Sequence, residues 1–163
     1  WTMLGYPQFL IPNGDGGWMF SAPESHNGFV QAIDGRHAGA VRLLIVLAKL
    51  WKYTQGVPIS SFYIEITMAA YASTLPQIDL ALDLKIWARQ LLDMGLPIIF
   101  DPRFPYDGLT ISPCRTEAQR QEALGRLQTF VGRAQSALQV EQELKVEGAL
   151  EGWAMAIAGA QPK

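Results

Sequence analysis

The apolar positions of the chain fall into long runs with helical period, separated by short clusters of Gly, Pro and polar residues. From His37 to about Tyr53 nearly every position is apolar, including Val41, Leu43, Leu44, Ile45, Val46, Leu47, Leu50 and Trp51. That pattern predicts a central, buried helix. Gln55-Gly56-Val57-Pro58 stops it: Gly56 supplies the left-handed cap and Pro58 bars continuation. A second helix is expected to start near Ser60 or Ser61 and to run to about Ser73. A third spans about Pro76 to Met94, with Ile78, Leu82, Ile86 and Leu91 at helical spacing and Gly95 ending it. "LPIIF" (96–100) predicts one short extended segment near 97–100, and "DPRFPYDGLTISP" a Pro/Gly loop after it. Two helices, about 115–142 and 146–158, close the chain; 115–151 is richer in Gln, Glu and Arg and so more solvated. Residues 1–30 follow another pattern. "YPQFLIP" and "WMFSAP" flank "NGDGG", which predicts a β-hairpin or strand–loop–strand. Such a ribbon is marginal alone and needs something to pack on. The expected fold is mostly α-helical with an N-terminal β-ribbon.

Composition narrows the classes. A chain of 163 residues, 49% hydrophobic and 17% charged, suits one compact domain with a real core. A net charge of −2 and a pI of about 5.7 argue against a broad basic field for duplex nucleic acid, and leave room for a local basic site. The one cysteine, Cys114, allows no intrachain disulfide and fits a reducing compartment, so a cytoplasmic location is expected. The richest apolar run, Ala38 to Trp51, contains Arg42 and Lys49 and is read as a buried helix, not a membrane span. No signal peptide is visible. The first residue is Trp1, which fits a chain that is processed, trimmed or the ordered part of something longer.

Candidate chemistry concentrates in one stretch, "KLWKYTQGVPISSFYIEI" (49–66). Arg42 and Lys49 are seven residues apart, which puts them on one side of a helix about 10 Å apart along its axis. Lys52 and Tyr53 follow three and four residues after Lys49 and lie beside or above it. The row is either a snorkelling solvent edge or one wall of a groove that holds an anion. Ser60 and Ser61 stand at the expected start of the next helix, where free N–H groups and a partial positive charge suit phosphate. The competing role for these serines is a plain N-cap. A capping box is absent, since Ile64 stands three residues after Ser61 and Glu65 comes one later. Phe62 and Tyr63 could stack on a base or simply fill the core. Asp79 and Asp83 share a helix face and are expected to be solvated, and Asp101 before Pro102 to form an Asx-type turn. His26, His37 and Cys114 form no metal-ligand pattern. No nucleophile elbow, zinc-protease motif, Walker loop or dinucleotide fingerprint occurs.

The ordered set of residues resembles the C-terminal helical half of the nucleotidyltransferases related to oligoadenylate synthase and cyclic GMP–AMP synthase. The bacterial CD-NTases, which make cyclic oligonucleotide signals in anti-phage defence (CBASS), are the nearest in pattern. The matching residues are Arg42 in an apolar helix, the ending Lys49-Leu50-Trp51-Lys52, Pro58, Ser61-Phe62 and Glu65. "IPNGDGGWMFSAPESHN" is similar to the family's stretch ending in Pro-x-x-His, and "PIIFDPRFPYDGL" to its DP-x-x-P segment. "WAMAIAGAQP" keeps Trp153, Gly159 and Pro162 of a closing motif and lacks its two phenylalanines.

The resemblance implies that Lys49 and Ser61 touch the triphosphate of a donor nucleotide, that Phe62 stacks on its base, and that Arg42 is a further contact. It implies residues 1–30 as the last β-ribbon of an α+β nucleotidyltransferase core and 31–163 as the helical C-terminal domain. It also implies ATP or another nucleoside triphosphate as substrate, with Mg²⁺ as cofactor. The family's chemistry needs a Gly-Ser turn and an Asp-x-Asp or Glu-x-Asp pair holding two Mg²⁺ ions. None of these occurs in the sequence. The expectation is therefore a C-terminal half, inactive alone, whose partners are the N-terminal half of the same protein, nucleotides and regulatory or effector proteins. Such a half should expose an apolar face. Two alternatives stand beside it: a non-catalytic helical interaction module, and a related nucleotidyltransferase acting on a macromolecule.

Overall fold

The structure, a computed structural model, describes residues 2–3, 6–7, 9–12, 16–21, 23–103, 108–142 and 146–159. Six helices carry these residues: α1 (Pro23–Arg36), α2 (Ala40–Thr54), α3 (Ser61–Ser73), α4 (Leu80–Asp93), α5 (Glu117–Gln142) and α6 (Val146–Ala158). Three short antiparallel pairs accompany them: β1 (Thr2–Met3) with β2 (Tyr6–Pro7), β3 (Phe9–Pro12) with β4 (Trp18–Ser21), and β5 (Ile99–Phe100) with β6 (Thr110–Ile111). The β3–β4 register sets Phe9 opposite Ser21 and Pro12 opposite Trp18, the hairpin expected around Asn-Gly-Asp-Gly-Gly.

Helix α2 packs on α1, α3, α4 and α6, and α5 lies along α4 and α6. The core sits where they meet: Leu44 and Trp51 of α2, Tyr63, Ile64, Ile66 and Met68 of α3, Leu84 and Trp87 of α4, Leu127 and Phe130 of α5. The Trp51 and Phe130 rings meet at 5.2 Å between centroids. Burial of this apolar surface is the main force holding the helices together. Gly56 at φ 62° turns the chain out of α2, and Gly95 at φ 70° does the same after α4. No helix among the described residues is long and apolar enough to cross a membrane.

The structure corrects several expectations. First, α2 is not buried all round. Val41, Leu44, Ile45, Ala48 and Trp51 are inside, whereas Leu43, Val46, Leu50 and Tyr53 form an outer stripe 47–67% exposed. The four helices packed on α2 cover one side, and the apolar residues of the other have water for a neighbour. Second, α1 occupies sequence read partly as ribbon, so a division at residue 30 falls within a helix. Its apolar residues are few, and Gly28 and Gly35 dilute the period. Pro23 at its first position and Glu24 in its first turn were the available start signals. Third, α2 begins at Ala40 and not at His37, because Ala38 (φ 51°) and Gly39 (φ 90°) take left-handed backbone there. Fourth, Asp83 is buried, not solvated. It accepts from the Tyr71 hydroxyl at 2.5 Å and from the Asp79 N–H at 2.7 Å. Asp79 in turn caps α4 by accepting from the Leu82 N–H at 2.9 Å, so α4 starts at Leu80 and not at Pro76.

Candidate functional site: the α2–α3 corner

The end of α2 and the start of α3 are joined by residues 55–60, and the polar groups of the two helices meet across that turn. Ser60 is the N-cap of α3; its hydroxyl accepts from the Tyr63 N–H at 3.4 Å. The capping role therefore falls to Ser60, and Ser61, the first helical residue, has its hydroxyl turned to α2. Lys52 Nζ donates to Ser61 Oγ at 2.9 Å, and the Tyr53 hydroxyl lies 3.2 Å from the same oxygen. The Lys52 ammonium also stands over the Tyr53 ring, 4.5 Å from its centroid. The Ser61 hydrogen bond, aided by the positive charge of Lys52, holds the exposed Tyr53 phenol below its ordinary value. An ammonium, a phenol and an alcohol thus converge at the N-terminus of α3. There the first-turn N–H groups lack helical acceptors and the helix carries partial positive charge.

The four residues singled out from the sequence take different positions. Ser61 is at the centre of the cluster. Lys49 lies one helical turn from it along the α2–α3 seam and pairs with Glu65, each side chain 29% exposed. The lysine that reaches Ser61 is Lys52. The spacing of the sequence placed Lys52 beside Lys49 but could not say which of the two the turn would carry to α3. Phe62 is partly exposed, with its ring 4.7 Å from that of His26 at an interplanar angle of 87°. Arg42 is held at the far end of α2, where its guanidinium meets Asp34 at 3.3 Å and its N–H bonds Asp34 Oδ1 at 3.0 Å. Arg42 and Lys52 are ten positions apart, so about 15 Å of helix separates Arg42 from the cluster.

Behind Phe62 stands a second polar group. His26 Nε2 and Asp101 Oδ2 are 2.6 Å apart, and Asp101 is 5% exposed. The other oxygen of Asp101 accepts from the Arg103 N–H at 2.9 Å, the Asx-type turn expected before Pro102. Arg103 Nε donates to the buried Ser25 hydroxyl at 2.9 Å.

The opposite side of α3 borders a half-open, mostly apolar cleft. A cavity of about 290 Å³ lies between α3, α4 and the β5 segment, walled by Tyr63, Tyr71, Trp87 and Phe100. The tyrosine, tryptophan and threonine groups in its wall are paired within the protein: Tyr63 hydroxyl to Pro97 carbonyl at 2.8 Å, Trp87 Nε1 to Thr67 at 3.2 Å, Tyr71 to Asp83. Among the described residues no group of three or more His, Cys, Asp or Glu side chains could hold a metal ion. Compared with protein-family models and with curated proteins, the sequence matches none.

Proposed function

We propose that this chain is the C-terminal nucleotide-binding portion of a bacterial, cytoplasmic nucleotidyltransferase that makes cyclic or linear oligonucleotide signals. The observation that carries the reading is the convergence of Lys52, Tyr53 and Ser61 on the first turn of α3, with an exposed aromatic ring, Phe62, as the next residue. An anion placed there meets a full positive charge, two hydroxyls and the positive end of a helix. Charge-assisted hydrogen bonds of this kind suit the phosphates of a nucleoside triphosphate. Phe62 is placed to offer its ring to the base that the phosphates bring with them.

In this reading Lys52 is the main charge on the phosphate chain and Ser61 a hydroxyl donor to it. Lys49 serves the next phosphate along the seam by leaving Glu65 for it. Mg²⁺ would be held by carboxylates of the N-terminal half, where it would activate the attacking hydroxyl and the departing pyrophosphate. The exposed stripe Leu43, Val46, Leu50 supports a chain that packs against further protein through α2. The same stripe favours one second reading, a helical interaction module without catalysis.

The test is to incubate the protein in its complete natural chain with Mg²⁺ and labelled nucleoside triphosphates, and to identify the products. The expected outcome is pyrophosphate release with an oligonucleotide product, lowered by Lys52→Ala and by Ser61→Ala at subsaturating nucleotide. Rates unchanged by both substitutions would overturn the assignment of the site. Absence of any nucleotide turnover or binding would favour the interaction module.

A further inference from the structure

Phe62 does not stand alone at the corner. Its ring is held by a His26 side chain that belongs to another helix, and His26 is held by a buried carboxylate from a third segment. Asp101 is fixed twice: its N–H bonds the Leu109 carbonyl at 2.9 Å, and its Oδ1 closes the turn with the Arg103 N–H. The remaining oxygen, Oδ2, faces His26 Nε2. The imidazole side chain is 12% exposed, and so is nearly immobilised between Asp101 and the Phe62 ring. A perpendicular ring pair of this kind is favourable and directional, because the positive edge of one ring meets the negative face of the other. A partly exposed phenylalanine on the first turn of a helix would otherwise sample several rotamers.

We infer that His26 is a positioning residue for nucleotide binding, which fixes the Phe62 ring in the orientation that stacks on the base, with Asp101 as the anchor that fixes His26. The inference rests on the nucleotide-binding reading of the corner and adds to it a chain of action from the β5–β6 loop to the base. It makes base recognition depend on two segments, α1 and the Asp101 turn, that contribute nothing to the phosphate seat.

The experiment measures binding of ATP and of inorganic tripolyphosphate to the complete natural chain, by calorimetry, for wild type, Phe62→Ala, His26→Ala and the double substitution. The expected result is that His26→Ala weakens ATP binding about fivefold, the order of a lost aromatic contact, while tripolyphosphate binding stays unchanged. In the Phe62→Ala background, His26→Ala should have no further effect, since the two act as one unit. His26→Phe keeps a ring against Phe62 without the bond to Asp101. It should fall between wild type and His26→Ala, and it serves as the test if His26→Ala does not fold. Equal losses for ATP and tripolyphosphate, or additive effects in the double substitution, would overturn the inference and leave the phosphate seat standing. If Phe62→Ala itself leaves ATP binding intact, the base-stacking reading fails first.

Discussion

Helix α3 has two sides that treat polar groups in opposite ways. Along the side toward α4, Tyr63, Thr67 and Tyr71 are tied to Pro97, Trp87 and Asp83, and the groups they meet are buried or nearly so. At its first turn, Ser61 meets Lys52 and Tyr53 on an open surface, and Lys49 meets Glu65 with both side chains partly in water. In the first case a lost partner leaves a buried group unsatisfied. In the second, water or an incoming anion can replace the partner at small cost. A fold can thus use one helix to secure itself and to present a site, provided that the two duties lie on different faces.

Breaking the side toward α4 should have the largest effect on stability. Trp87→Ala empties the wall of the cavity and removes a donor from the Thr67 hydroxyl, which keeps its own bond to the Tyr63 carbonyl, and should cost about 3–5 kcal/mol in denaturant unfolding. Tyr71→Phe removes one donor from the buried Asp83 carboxylate and should cost about 1–3 kcal/mol. On the open side, Lys49→Ala breaks an ion pair that water already reaches, and should change stability by less than about 1 kcal/mol. A cost for Lys49→Ala as large as that for Tyr71→Phe would erase the distinction between the two sides.

The same contrast should appear on titration. Burial pushes the Tyr63 and Tyr71 phenols above the ordinary value of 10.0, with the Asp83 carboxylate adding to the effect at Tyr71. Their stabilising contribution is whole below pH 10 and is lost as the pH rises beyond it, because the unfolded chain gives up those protons first. Tyr53 shifts the other way, so ultraviolet titration should show an early phenolate component that Tyr53→Phe removes. The smallest effect is expected at α5. Arg120 and Gln121 hold the exposed Glu117 carboxyl down to about 2 from 4.5. That modest support for the helix start is present above pH 4.5 and fades as the pH falls toward 2, and added salt should weaken it.

Helix periods and stop signals carried much of the architecture into the sequence. Gly56 and Pro58 mark the end of α2, Ser60 and Ser61 the start of α3, and Gly95 the end of α4, because each rests on local backbone chemistry. What escaped was set by distant partners. The outer stripe of α2 looks the same in sequence as its inner face, and only the placement of α1, α3, α4 and α6 tells them apart. Asp83 reads as a surface carboxylate until Tyr71 comes over it. The α1 helix was hidden by two glycines and a sparse apolar face. At the corner, the sequence pointed to Lys49 and Ser61, while geometry brings Lys52 and Tyr53 to the serine. Two lysines three residues apart lie on one face, and the path of residues 55–60 decides which of them α3 meets. The pairing of His26 with Asp101 spans 75 residues and left no local trace.

The account stands or falls on the affinity of the corner for a phosphate chain. The direct measurement is calorimetric titration of nucleoside triphosphate into the complete natural chain, comparing wild type with Lys52→Ala and Ser61→Ala, each checked for an unchanged unfolding midpoint. The account predicts that Lys52→Ala weakens binding about 10- to 100-fold, in line with the loss of a charge-assisted hydrogen bond. Ser61→Ala should weaken it less, with stability unaltered in both. Equal affinity for all three proteins, or no affinity in any of them, would contradict it.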